Sequence, residues 1–111
     1  MPDSWKFVGA VLTAGLLFTS VHSHAGDGIS YQQASLLAAT CFACHGTDGR
    51  MAEGIDPLAG RSYQALRATL MAFRDDQIPN ATVMNRIAAG YSEEEIDAIA
   101  TYFSGLPAGR E

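Results

Sequence analysis

Small and apolar side chains recur every three or four positions in three stretches of this chain, after Ser30, after Ser62 and after Ser92. This spacing puts them on one face of a helix. Ser30 with Gln33 and Ser92 with Glu95 also match the capping box with which many helices begin. The three predicted helix faces consist of Ala34, Leu37, Ala38, Cys41, Cys44 and His45, then of Tyr63, Leu66, Leu70 and Phe73, and finally of Ile96, Ile99, Ala100 and Phe103.

Glycine and proline mark where these stretches end. Gly46 follows the first stretch, and residues 46–60 are rich in glycine and aspartate, which predicts a loop. Residues 81–89 predict a short helical or irregular segment that ends at Gly90, and Gly105 and Pro107 end the last helix. We therefore expect an all-α fold of three or four short helices without a sheet.

The N-terminal segment has the features of a secretory signal peptide. Lys6 precedes an apolar run at residues 7–18, and Ser23-His24-Ala25 fits a small-x-small cleavage site. An apolar run of about a dozen residues is too short to span a bilayer comfortably. We expect residues 1–25 to be removed, which leaves residues 26–111 as one domain without stable membrane insertion; an uncleaved N-terminal anchor is the alternative.

Charge narrows the set of partners. Residues 26–111 contain six arginines, no lysine and eleven acidic residues, for a formal charge of −5. Nucleic-acid binding requires a basic face, so this balance argues against nucleic acid as a partner. It also argues against docking through a ring of lysines.

The segment Cys41-Phe42-Ala43-Cys44-His45 is a C-x-x-C-H motif, the attachment signature of c-type haem. Two thiols add to the haem vinyl groups, and the adjacent histidine ligates the iron. Positions i, i+3 and i+4 share one face of a helix, so both thiols and the imidazole can reach one macrocycle. The motif occurs once, which predicts one covalently attached haem. A chain of 86 residues buries a modest core, and the haem would complete it.

Three other uses of the motif fit less well. A structural zinc site requires four Cys or His ligands, and residues 26–111 supply three. A thioredoxin-like redox pair requires β-α-β patterning, of which this chain has little. A disulfide between Cys41 and Cys44 would close a very small loop and add little stability.

The second iron ligand is expected to be a methionine. His45 is the only histidine outside the predicted signal peptide, so Met51, Met71 and Met84 remain. Met51 follows His45 too closely to reach the opposite haem face easily, and Met71 lies among the apolar residues of the second helix. Met84, 39 residues after His45, is the expected ligand. Together His45 and Met84 would fill both axial positions, which suits electron transfer rather than substrate binding.

Residues around the ligands are expected to tune the iron. The imidazole N–H of His45 should donate to a backbone carbonyl, and the turn at residues 56–58 with Pro57 is the candidate. Arg50, Arg61 and Arg74 can neutralise haem propionates or serve as surface charges, and Arg61 is the candidate we retain.

These residues resemble the class I cytochromes c. The resemblance rests on the motif continued through Gly46-Thr47-Asp48-Gly49, on Leu58-Ala59-Gly60, and on Met84 followed by Ala88, Ser92 and Tyr102. Residues 82–92 are most similar to the cytochrome subunits of flavocytochrome c sulfide dehydrogenases. That family has Pro-x-Leu-Ala-Gly where this chain has Pro57-Leu58-Ala59-Gly60, so the carbonyl that faces His45 is expected from Asp56 or Pro57.

The resemblance implies a haem-wrapping fold whose first and last helices cross, and a periplasmic location. It also implies a role as the electron-accepting subunit of a flavin-containing sulfide dehydrogenase, which is not catalytic alone. Two alternatives stay open. The chain could be a freely diffusing periplasmic carrier between respiratory complexes, or a haem enzyme or gas sensor with an open iron site.

Overall fold

The computed structural model of the chain describes residues 28–51 and 53–108, and the predicted signal peptide lies outside them. The described residues form helices and no strand, which confirms the all-α prediction. The helices are α1 (Tyr31–Ala39), α2 (Phe42–His45), α3 (Tyr63–Arg74), α4 (Met84–Ala88) and α5 (Glu93–Ser104), with one 3₁₀ turn at Thr47–Gly49.

Both capping boxes form as predicted. The Ser30 hydroxyl accepts from the backbone N–H of Gln33 at 3.3 Å, and the Gln33 side chain accepts from the N–H of Ser30 at 2.9 Å. Ser92 and Glu95 make the same reciprocal pair at 3.1 and 2.8 Å. Each pair satisfies two N–H groups that a helix start leaves without partners.

The first predicted helix is divided in two, which raises the number of helices from the expected three or four to five. The N–H groups of Thr40 and Cys41 bind carbonyls three residues back, Leu37 at 3.3 Å and Ala38 at 3.0 Å. This i to i−3 pattern tightens the backbone and ends α1. A new turn then starts, in which the N–H of His45 donates to the carbonyl of Cys41 at 2.9 Å. The motif therefore lies on its own short segment, with Cys41 as the N-cap and the other four residues forming α2.

The core is small and rich in alanine. Among the described residues eleven apolar side chains are buried, and six of them are alanines. Helix α5 packs against α1 and α3, and α4 packs against α3. Ala34 and Ala38 of α1 share one buried cluster with Tyr102 and Phe103 of α5. Small side chains at such a contact let two helix backbones approach closely.

No helix within the described residues has both the length and the hydrophobicity needed to cross a membrane.

A polar cluster joins α3 to α5 at the surface. The Tyr63 hydroxyl donates to the Asp97 carboxylate, the Arg67 guanidinium donates to the same oxygen at 2.8 Å, and Arg67 also binds Glu93. These donors hold the pKa of Asp97 below its usual range, with the hydrogen bond from Tyr63 as the largest cause.

The substitution Asp97→Asn should make the free energy of unfolding less dependent on pH under acidic conditions. An unfolded aspartate titrates at about pH 3.9, so near this pH the native state binds fewer protons than the unfolded chain. The contribution of Asp97 is therefore present above about pH 4 and lost as pH falls through its lower native pKa. Thermal melts of the haem-containing protein between pH 6 and pH 3 measure this effect. The difference in melting temperature between wild type and Asp97→Asn should become smaller as the pH falls. Glu94→Gln removes a carboxylate from the same helix turn outside the cluster and is the matched control; parallel curves for wild type and Asp97→Asn would contradict the prediction.

Candidate cofactor site

The two cysteines lie one turn apart on the segment that the break after α1 creates. Cys41 immediately precedes α2 and is partly buried, whereas Cys44 lies within α2 and is exposed. Cys41 and Cys44 are not joined in a disulfide, and burial raises the pKa of the Cys41 thiol. Gly46 ends α2 with a φ of 76°, a left-handed conformation that glycine adopts without strain. This arrangement places both sulfur atoms on one short segment, Cys41–His45, that begins at the N-cap of α2 and ends at Gly46.

His45 is held by the backbone of the following loop. Its Nδ1 lies 2.8 Å from the carbonyl oxygen of Asp56, so of the two carbonyls considered from the sequence it is that of Asp56 that faces the ring. Because a carbonyl oxygen only accepts, Nδ1 carries the proton and Nε2 keeps the lone pair with which a neutral imidazole binds metal. Pro57 is exposed and follows this carbonyl directly.

The loop that carries Asp56 is closed by backbone hydrogen bonds. The carbonyl of Gly49 accepts from the N–H of Leu58 at 2.7 Å and from that of Ala59 at 3.2 Å. Gly49 has a φ of 68°, and a Cβ there would lie 2.8 Å from both Leu58 Cβ and the Phe103 ring. Only glycine fits this approach, so Gly49 lets the loop lie against α5 and return to His45.

The three methionines occupy different places. Met84 is the first residue of α4 and is half-buried, while Met71 is half-buried within α3. The N–H of Met51 donates to the carbonyl of His45 at 2.8 Å, which keeps Met51 beside the C-terminal end of α2. Met51 therefore stays close to His45, whereas Met71 and Met84 lie on other helices, and Met84 remains the ligand predicted from the sequence.

The described residues fit a c-type haem. Two thiols, one imidazole nitrogen with a free lone pair and one thioether are the donors that a c-type haem uses. The segments that bear these groups also carry apolar side chains that the protein leaves uncovered: Met51 (36% exposed), Ile55 (41%), Ile87 (42%) and Val83 (55%). An apolar macrocycle would cover such side chains, and its burial would be favourable.

The candidate arginines differ in what they bind. Arg50 donates to the carbonyl of Pro107 at 2.9 Å, and Arg74 pairs with Asp75 at 3.0 Å. The side chain of Arg61 is exposed, and it forms no hydrogen bond or ion pair with the other residues that the structure describes. Arg61 therefore stays the candidate for a haem propionate.

Two contacts near the motif were not expected from the sequence. Tyr91, between α4 and α5, places its hydroxyl 2.6 Å from that of Thr40, the residue before Cys41. Tyr102 of α5 donates to Asp48 at 3.2 Å. Both pairs join residues more than fifty positions apart, and no local pattern marks such pairs in one sequence.

Known proteins match this chain across the same elements. Residues 32–103 match the family described as cytochrome C oxidase, cbb3-type, subunit III. The cytochrome subunit of sulfide dehydrogenase from Chlorobaculum tepidum is 36% identical over 78 residues, 70% of this chain and 70% of that protein. Cytochrome c-554(548) from Halomonas halodenitrificans is 46% identical over 68 residues, 59% of this chain and 82% of that protein.

A longer relative extends the comparison. The thiosulfate dehydrogenase electron acceptor from Thiomonas intermedia is 38% identical over 104 residues, 91% of this chain and 45% of that protein. The family match spans the segment from α1 to α5, including the C-x-x-C-H helix and Met84. With its all-helical fold and these relatives, the chain belongs to the cytochrome c family, whose members carry haem c and transfer electrons.

Proposed function

We propose that this chain is an exported periplasmic cytochrome that accepts single electrons from a flavoprotein dehydrogenase acting on sulfide. One haem is attached through Cys41 and Cys44 and ligated by His45 and Met84. The chain is not catalytic alone. The observation that carries the proposal is the C-x-x-C-H helix whose histidine is oriented by a backbone carbonyl, at 2.8 Å from Nδ1.

The bound haem supplies a one-electron change between ferric and ferrous iron. The chain's own residues set how that change occurs. The Asp56 carbonyl fixes the tautomer and the ring plane of His45 and makes Nε2 a stronger donor. The Met84 thioether keeps other ligands from the iron and raises the reduction potential relative to harder ligands. Arg61 would partner a propionate.

The names of the relatives support a sulfur-compound dehydrogenase as electron donor. One relative is the cytochrome subunit of sulfide dehydrogenase, and another is a thiosulfate dehydrogenase electron acceptor. The negative charge of residues 26–111 favours a donor whose docking face is positive. The second candidate function is a freely diffusing carrier with no fixed partner; one relative, cytochrome c-554(548), is named as a cytochrome alone.

A native pull-down of the haem-containing protein from the periplasmic fraction separates the two functions. We expect a flavoprotein to copurify at fixed stoichiometry, with a flavin absorption band beside the haem bands. Sulfide added to that complex should reduce the haem, and thiosulfate added in its place tests the other named donor. A haem protein that elutes only as a monomer, and that sulfide does not reduce in the presence of the periplasmic fraction, would overturn the subunit role and favour the carrier.

A further inference from the structure

The hydrogen bond between Tyr91 and Thr40 links the α4–α5 connection to the residue before Cys41. The two hydroxyl oxygens are 2.6 Å apart, and the Thr40 hydroxyl also lies 2.7 Å from the carbonyl of Leu37. A carbonyl oxygen only accepts, so the Thr40 hydroxyl donates to Leu37. The Tyr91 hydroxyl therefore donates to Thr40, and both protons have defined partners.

Thr40, which accepts this bond, is itself held in place by two further hydrogen bonds. Thr40 caps α1, and its backbone N–H and its hydroxyl both bind the carbonyl of Leu37. Its hydroxyl lies 3.9 Å from Cys41 Sγ. The Tyr91 hydroxyl, which binds Thr40, is therefore fixed in position relative to the Cys41–His45 segment.

On the Tyr91 side, the bond ends on the unit that carries Met84. The N–H of Ile87 donates to Val83, that of Gly90 to Ile87 and that of Tyr91 to Ala88, each at 3.1 Å. These overlapping turns make residues 83–91 one hydrogen-bonded piece with Met84 near one end and Tyr91 at the other. Tyr91 also packs against the buried cluster of α1, α3 and α5.

The other polar anchor of this piece does not reach the motif. The Asn85 side chain donates to Asp76, in the connection after α3, at 3.1 Å. That bond ties α4 to its own approach loop. Among the residues that the structure describes, the bond from Tyr91 to Thr40 is the side-chain hydrogen bond that connects residues 83–91 to the Cys41–His45 segment through Thr40.

We infer that Tyr91 is a positioning residue for the iron: through Thr40 it holds the Met84 segment in register with the Cys41–His45 segment, and so limits how readily Met84 leaves the metal. The inference rests on the proposed ligation by Met84. The inference can be tested through the affinity of the iron for an added ligand. Such a ligand competes with Met84, because it binds only in the fraction of molecules whose methionine has left the iron.

The test measures imidazole binding to the oxidised holoprotein. Losing one net hydrogen bond of about 1 kcal/mol from the closed state raises the open fraction about fivefold. Tyr91→Phe should therefore bind imidazole about fivefold more tightly than wild type, with the near-infrared methionine–iron band lost at correspondingly lower imidazole concentration. Thr40→Val also removes the hydroxyl that binds Leu37, so it should give a shift at least as large. The double variant should add little to Thr40→Val, because that change already removes the bond from Tyr91.

Tyr102→Phe is the matched control. It makes the same chemical change and removes the hydrogen bond from Tyr102 to Asp48 at 3.2 Å, which joins α5 to the 3₁₀ turn without involving α4. We expect it to lower the melting temperature while leaving the imidazole affinity unchanged. That difference separates control of the ligand from a general loss of stability.

The outcomes distinguish this inference from the proposed ligation. A wild-type protein that shows the methionine–iron band, with Tyr91→Phe and Thr40→Val both binding imidazole as wild type does, overturns the inference alone. Equal shifts in Tyr91→Phe and Tyr102→Phe overturn it as well. A wild-type protein without the band, in which Met84→Ala changes nothing, overturns the ligation and the inference together.

Discussion

Met84→Ala should open the sixth coordination position of the iron and turn a closed electron carrier into a ligand-binding haem protein. The reduced variant should bind carbon monoxide, which the wild type should exclude, and the methionine–iron band of the oxidised protein should disappear. The reduction potential should fall by roughly 0.1 V or more, a fraction of the ~0.8 V range over which axial ligands act. Absorption spectra with and without carbon monoxide and a redox titration measure all three effects.

Met71→Ala is the control for this experiment, because it removes the same thioether from another half-buried methionine, in α3. We expect it to cost some stability and to leave the spectrum and carbon monoxide exclusion intact. If Met84→Ala still excludes carbon monoxide and Met71→Ala does not, the axial ligand is Met71 in α3. Carbon monoxide binding by the wild type would instead favour an enzyme or gas sensor with an open iron site.

Removing both thiols, as in Cys41→Ala with Cys44→Ala, should abolish covalent haem and most of the fold with it. The eleven buried apolar side chains of residues 28–51 and 53–108, six of them alanines, give too little apolar burial to offset the conformational entropy of a domain this small. We expect no haem stain on a denaturing gel. Far-ultraviolet circular dichroism of the purified variant should show little helix and no cooperative melt.

Ala43→Ser keeps both thiols and changes only the exposed residue between them, so it should retain the haem stain and the native spectrum. If only the double variant loses the haem and the fold, the missing sulfur atoms are the cause and not a disturbed α2. Native-like helicity with a cooperative melt in the double variant would show that the protein core alone supports the fold, contrary to the expectation.

Local chemistry explains which parts of this fold could be predicted. The starts of α1 and α5 depend on residues three positions apart, and their capping boxes form as expected. The division of the first helix could not be found in the same way, because helical periodicity runs without interruption through Thr40 and Cys41. What ends α1 is a shift to i to i−3 bonding, and the side chains on one face do not reveal that shift.

In the site, too, the features set by neighbouring residues could be predicted and the long-range contacts could not. Cys41, Cys44 and His45 stand out by their spacing. Pro57 indicates the turn at residues 56–58, and the resemblance to the class I cytochromes c limits the expected carbonyl to that of Asp56 or Pro57. The pairing of Tyr91 with Thr40 cannot be predicted in this way, since 51 residues separate them and neither residue alone indicates a distant partner. Three-dimensional packing creates that pair, and a single sequence holds no trace of it.

The partner of His45 Nδ1 is a main-chain oxygen, and this affects how the protein can vary. A side-chain carboxylate in that place could be lost through one codon change, and the electronic character of the imidazole would change with it. The carbonyl of residue 56 is present whichever amino acid stands there. Substitution at that position therefore leaves the acceptor in place, whereas adding or deleting a residue between Gly46 and Asp56 moves it. Among descendants of this sequence, the length of that loop should be more constrained than its composition.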